Sequence, residues 1–452
     1  MIHSTVTEPS RSIPVFEDVD ICVLGGSCTG VFAAIRAARM GARVALVERM
    51  GCFGGVATIS LVNIWHPPFD AHFEKQIFAG LTTETMDRLA LRRSVNISPR
   101  NPHAYWIFNS HELMIELDEM VRETEKVTPY LHTLFAAPYI GNDGRLAGVF
   151  VENKTGRGVI KAKVFIDATG DGDLCARLGL ETYSANQMQP STTCALLASS
   201  ASLHGVDVQG LVRKHGDEFG FPQGYIWSST VPGSDIAMLA GTRVKGRDCS
   251  DGDALTAAEM EGRRQVRALQ DLLRKYAPDG NWTLAGLPAR IGIRESRHVR
   301  CHHAMTQDDV LGGAHFDDAI AFGAYPVDIH HVDKPGITKI FLDGTQVYSR
   351  DGFPAEKSRW LPENSDSAAY YQIPYRSLQP LGAYDNLLLA GRMIDADVPA
   401  HGAIRVMVNM NQTGEAAGVA ATMAIGGGGA NVRAVEPAAL RAEMARGGSL
   451  MM

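Results

Sequence analysis

Near the start of the chain, small residues follow one another in Gly25-Gly26-Ser27-Cys28-Thr29-Gly30, and an acid, Glu48, stands eighteen positions beyond Gly30. The chemistry this spacing offers is the grip of a nucleotide. Where a strand runs into a helix, unpaired N–H groups and the positive end of the helix dipole attract a diphosphate, provided that no side chain intervenes. A carboxylate at the end of the following strand accepts hydrogen bonds from a ribose. Gly25 and Gly30 match the first and last glycines of G-x-G-x-x-G. Ser27 takes the place of the middle one; it is small, and Gly26 beside it keeps the turn tight. The competing reading is a plain strand-to-helix turn followed by a solvated glutamate.

A second set of residues suits a substrate. Arg294 and Arg297, within Arg294-Glu295-Ser296-Arg297, present two guanidinium groups that hold a carboxylate or another anion, or else pair with Glu295 in a structural ion network. His330, in Asp328-Ile329-His330-His331, and His401 titrate near neutral pH and are the candidates for proton transfer, with a satisfied structural histidine as the alternative for each. Tyr375 is expected to line the same cavity. No metal site is expected, because His302, His303, His330 and His331 come as adjacent pairs rather than at i, i+4, and no C-x-x-C pair occurs. Cys52 reads as a small buried residue.

These residues need elements to hold them. Residues 21–24 form a short apolar run, an Ala-rich helical stretch follows to Met40, Gly41 ends it, and residues 43–47 read as a second buried strand. This is a βαβ unit. A helix is expected over 110–126, then strands over 130–140, 146–152 and 158–166, with Asn142-Asp143-Gly144 as a hairpin turn. Further on come a polar helix over 251–277, a region rich in Pro and Gly from 286 to 366, a buried strand at 386–390 and an Ala- and Gly-rich helix over 402–424. The run Gly426–Gly429 reads as a linker.

With 452 residues, 45% of them hydrophobic, the chain has enough core for one large or two interleaved domains. A net charge of -7 without a basic block argues against a nucleic-acid partner. The first twenty residues lack the apolar core of a secretory signal, and no apolar run reaches the roughly 18 residues of a membrane span. Seven scattered cysteines, an odd number, read as reduced thiols and make the cytoplasm the expected compartment.

Five further segments, in order, resemble the FAD-dependent oxidoreductase family: Glu48 to Thr58, Phe165 to Asp173, Gly292 to Arg297, Ile373 to Leu378, and Asn386 to Arg392 followed by Ala400 to Arg405. The resemblance covers nearly the whole chain. It implies FAD as cofactor and a glutathione-reductase-like, α/β fold. This would be a Rossmann-like FAD/NAD(P)-binding domain with a parallel central sheet and a β-meander, plus an interleaved α+β substrate domain. Residues 15–185 and 369–430 would be the two segments of the FAD-binding domain, 186–368 the substrate region and 431–452 a tail. Besides the first glycine turn and Glu48, the resemblance implies cofactor contacts from Arg49, Gly54, Gly55, Val56, Ala57, Thr58, Phe135, Ala168, Thr169, Gly170, Gly391 and Arg392. It also sets Gly402, Ala403 and Ile404 at a helix start facing the flavin, with His401 beside it. Asp395 and Val398 depart from the family pattern.

The expected function is two-electron, hydride oxidation or reduction of a small organic substrate, with the flavin carrying the redox step. An oxygen-using oxidase or monooxygenase and a flavin-binding electron-transfer subunit stay open as alternatives. So do a homo-oligomer and a separate electron-transfer partner. One glycine fingerprint leaves no basis for a second, nicotinamide-binding domain.

Overall fold

Four consecutive buried residues, Ile21 to Leu24, close strand β1 (Val15–Leu24), a pattern that arises when both faces of a sheet are covered. The computed structural model describes residues 4–66, 68–97 and 105–452. After β1 come helix α1 (Cys28–Arg39), β2 (Val44–Val47) and, beyond the helix Ser110–Arg122, β3 (Val127–Tyr130). β1 pairs in parallel with β2, and β2 with β3. Strands β4 (Leu134–Ile140), β5 (Leu146–Asn153) and β6 (Gly156–Asp167) form an antiparallel meander. One edge of β6 runs parallel along β1. Its other edge is shared: Gly156 to Lys161 pair with β5, and Phe165 to Asp167 pair in parallel with β7 (Leu387–Leu389).

The result is the expected Rossmann-like sheet, in the order β3-β2-β1-β6-β5-β4 with β7 beside the far end of β6. Two boundaries differ from expectation. The strand expected over 130–140 is divided because the chain leaves the sheet at residues 131–133, where His132 takes a positive φ of 50°. The helix expected over 402–424 is two helices, α2 (Val398–Ile404) and α3 (Met407–Gly426), separated by the extended Val406. Asp397 accepts from the Ala400 N–H and a proline sits in the first turn, a start signal that sets the first helix four residues earlier.

Between β6 and β7 lie two four-stranded antiparallel sheets. One joins Ala195–Leu197, Trp227–Thr230, Ala237–Ala240 and Leu284–Gly286, and packs its apolar residues on the helix Gly252–Tyr276. The other joins Val327–His330, Ile337–Ile340, Thr345–Ser349 and Glu356–Arg359. Among the described residues, no helix is long and apolar enough to cross a membrane.

The closest packing is between α1 and α3. A Cβ on Gly414 would fall on the backbone carbonyl of Thr29, and one on Gly418 on that of Ala33. Because 29 and 33 advance together with 414 and 418, the two helices run in the same direction. Met407 precedes Gly414 by seven residues, so α3 starts roughly 10 Å beyond the first turn of α1. Replacing Gly418 with valine is expected to destabilise the chain by at least about 1–3 kcal/mol through overpacking. Gly426→Ala, at a helical position with nothing within 4 Å, should be neutral or stabilising by up to about 1 kcal/mol. Urea unfolding of both variants checks the pair.

Candidate active site

The first turn of α1 opens on a cavity of about 1240 Å³. That exceeds the roughly 300–1,000 Å³ common for one small ligand and suits a dinucleotide together with a substrate. Gly25 adopts a φ of 103°, and its position leaves no room for a side chain against the Ala168 carbonyl; Gly30 in turn packs on the carbonyl of Gly25. Ser27 does more than stay small. It caps α1, its Oγ accepting from the Gly30 N–H at 3.5 Å. Glu48 holds the turn to β2, accepting from the N–H groups of Gly26 at 2.6 Å and Met50 at 2.8 Å, and its carboxylate borders the cavity.

Ala168, Thr169 and Gly170 continue this wall at the end of β6. Beneath them the buried Asp167 accepts from the N–H groups of Thr169, Leu174 and Cys175, which fixes the turn. The next acid, Asp171, gathers cations. Arg392 lies at 2.5 Å, Arg290 at 3.2 Å and Arg49 at 3.8 Å, and all three guanidinium groups border the cavity. Asp173, paired with Arg297, and Glu48 border the cavity here too, so both signs of charge line this stretch of wall.

The opposite end is built from the middle region and the start of α3. Met407 to Asn411 border the cavity, and Val406 supplies no side-chain cap, so the N–H groups of Met407 and Val408 point their dipole end inward. Asp328 accepts through Oδ2 from the Tyr325 hydroxyl at 2.9 Å and from Arg405 at 3.3 Å, and faces His330 Nε2 at 3.3 Å. Burial works to raise the Asp328 pKa, but the His330 ring, Lys339 and Arg405 outweigh it and hold the carboxyl well below its usual range. The contact with this carboxylate favours the proton on His330 Nε2, which leaves Nδ1 as the acceptor. Burial, reinforced by the charge of Arg294, lowers the His330 pKa to about 3, so the ring is neutral. Arg294 is fixed through Nη1 by the Pro190 carbonyl and the Thr192 hydroxyl. Burial, reinforced by the nearby Arg405 and Arg243, pushes its pKa down to about 9.

The cavity thus brings together Gly25, Ser27, Cys28, Thr29, Glu48, Arg49, Gly54, Gly55, Val56, Phe135, Ala168, Thr169, Gly170, Gly391 and Arg392 from the expected cofactor set, with Arg294 and His330 from the catalytic set. Gly26, Gly30, Ala57 and Thr58 lie just behind its surface. Three catalytic expectations are corrected. Arg297 is spent on Asp173 and the Asp171 carbonyl, Tyr375 is buried with its hydroxyl on the Val432 carbonyl, and His401 is 1% exposed in the wall behind Arg294. Gly402, Ala403 and Ile404 also miss the cavity, because they belong to α2 and Gly402 packs on the backbone of Asp328. Glu295 pairs with His298 rather than with the arginines. Cys52 is partly exposed and does not border the cavity.

Asp328, Lys339, Arg405 and the α3 start were missed by sequence reasoning. Asp328 stands two residues before His330, a spacing that in a strand puts both side chains on one face. That was the available signal.

Glycine-cleared backbone at one helix start, a second helix start roughly 10 Å further on, and an acid at the end of β2 together fit a flavin dinucleotide. Dihydrolipoyl dehydrogenase of Trypanosoma brucei brucei is 36% identical over 86 residues, a match spanning 17% of this chain and 18% of that protein. Among solved structures, a geranylgeranyl bacteriochlorophyll reductase-like protein of Thermoplasma acidophilum aligns over 95% of this chain and 83% of its own, at 12% identity and a TM-score of 0.48. The p-nitrophenol 4-monooxygenase of Pseudomonas putida aligns over 96% and 81%, at 11% identity and a TM-score of 0.41. The model of the FAD dependent oxidoreductase family matches residues 20–444, and the chain accordingly belongs to that family of enzymes, with FAD as its cofactor.

Proposed function

We propose that this enzyme oxidises or reduces a small organic anion by two-electron chemistry, with Arg294 and Arg405 holding the anion and His330 moving the proton. The reading rests on one observation above all: a histidine set against a buried carboxylate borders the cavity beside two guanidinium groups. FAD, when bound, supplies hydride transfer at its N5 position. Asp328 fixes the His330 tautomer and stabilises the imidazolium that forms when Nδ1 takes a proton. Arg294, held on one side by Pro190 and Thr192, keeps its remaining donors for a carboxylate. Tyr225, Tyr325 and Lys339 complete this end of the wall, which comes chiefly from residues 186–368.

Screening carboxylates against matched neutral alcohols and amines for anaerobic bleaching of the flavin tests the proposal. Carboxylates should bleach it. With the substrate so found, Arg294→Gln should raise KM by about 10- to 150-fold, the loss of a hydrogen bond to a charged group. His330→Gln should lower kcat by about 100- to 10,000-fold. A preference for amines, or a kcat within twofold of the parent in the His330 variant, would sink the idea.

The pH profile provides a second check. Since the charge of Arg294 helps to depress His330, removing it raises the His330 pKa. The acid limb of kcat/KM in Arg294→Gln should therefore move to higher pH. In the parent enzyme a bound anion neutralises Arg294, so the acid limb of kcat should lie above that of kcat/KM.

A further inference from the structure

Glu295, His298 and His401 are 1%, 2% and 1% exposed and border no part of the cavity, and one ligand atom from each lies within 4.8 Å of the other two. Each histidine turns one nitrogen to a backbone carbonyl: His298 Nδ1 to Ile394 at 3.1 Å and His401 Nε2 to Arg294 at 3.3 Å. Carbonyls only accept, so those nitrogens carry the hydrogens, and in neutral rings the lone pairs sit on His298 Nε2 and His401 Nδ1. His298 Nε2 faces Glu295 Oε1 at 3.3 Å, and the buried His401 Nδ1 has no hydrogen-bond partner among the described residues. The remaining oxygen, Glu295 Oε2, accepts from the Gln189 N–H at 2.7 Å.

We propose that His298 Nε2, His401 Nδ1 and Glu295 Oε1 bind a divalent transition-metal ion of the zinc or iron(II) class. Two imidazoles and a carboxylate are a donor set for such ions. Tetrahedral bonds of about 2.0–2.1 Å place ligand atoms about 3.3 Å apart, the separation already present between His298 and Glu295. Carbonyls behind both histidines and an N–H behind the carboxylate are the outer hydrogen bonds that orient metal ligands. Three protein ligands leave a coordination position for water. The ion would join residues 295–298 to α2 and steady the backbone of Arg294, whose carbonyl His401 holds. Ligands three residues apart outside a helix, with the third about a hundred residues on, make no recognisable sequence motif.

The test is metal content, which is independent of turnover and so of the substrate reading. Flavin-loaded protein from zinc-supplemented cells, desalted and analysed by mass spectrometry, should carry about one zinc per chain. Exchange with cobalt(II) should give ligand-field absorption to the red of the flavin bands. His401→Ala and Glu295→Gln should each lose bound zinc at least about 10-fold while keeping flavin. Fewer than about one ion per ten chains in the flavin-loaded parent, after incubation with zinc or cobalt, overturns the site and leaves His298 and Glu295 as a buried hydrogen-bonded pair. Zinc retained in both variants overturns it equally. If neither variant folds, the zinc count and cobalt spectrum of the parent decide.

Discussion

The contact of α1 with α3 is the constraint on which the site depends. Both helices start at the cavity, and only glycine at 414 and 418 lets their backbones touch. An ion pair locks the same interface. Arg36 meets Glu415 at 2.8 Å, both nearly free of solvent, and Glu415 also accepts from the Leu81 N–H while Arg36 reaches Gly447 and Ser449. Burial raises the Glu415 pKa to about 7 against the pull of Arg36. Such a pair adds little net stability, yet removing one partner leaves a buried charge that costs about 3–5 kcal/mol. The pair thus penalises sliding of one helix on the other, and sliding would move the α3 start away from the cavity.

Much of this was legible in the residues. Backbone needs are written as glycine, so Gly25 and Gly30 are legible as a tight strand-to-helix turn, and Glu48 follows at the spacing a βαβ unit dictates. The ring end was harder, since its polar groups come from a sheet strand, the 292–298 segment and the gap between two helices. His330 was found because histidine is conspicuous. Asp328, which orients it, was passed over because a single acid beside a histidine looks like any surface pair. His401 misled for a physical reason: it precedes an Ala-rich stretch, but Asp397 and the proline after it start a separate helix and turn its ring into the wall. Arg405 and Val406 in the break between α2 and α3 are what reach the cavity.

The charges follow one design at both ends. Asp171 is surrounded by Arg49, Arg290 and Arg392, and Asp328 by Arg405, Lys339 and the His330 ring. In each case the carboxylate holds arginines in place beside the cavity. Placing like charges together in a partly dry site is unfavourable unless an anion joins them. A diphosphate would meet that demand at the first cluster. A substrate anion would meet it at the second, beside Arg294 and Arg405.

These two demands are carried by different parts of the chain, and this bears on how such an enzyme changes substrate. The diphosphate wall comes from β1, α1, β2 and β6, whose geometry is set by sheet pairing and by glycines that tolerate no side chain. The substrate wall takes Thr192, Arg294, Asp328, His330 and Lys339 from the region between β6 and β7. The strands of residues 327–359 close on their own hairpins, and their last strand, Glu356–Arg359, is fully exposed. Side chains there can be exchanged without touching the α1–α3 contact or the sheet. Substrate choice would in this way be separated from cofactor grip, and the residues that join the two are few: Arg405, which pairs with Asp328 from the break between α2 and α3, and the first turn of α3.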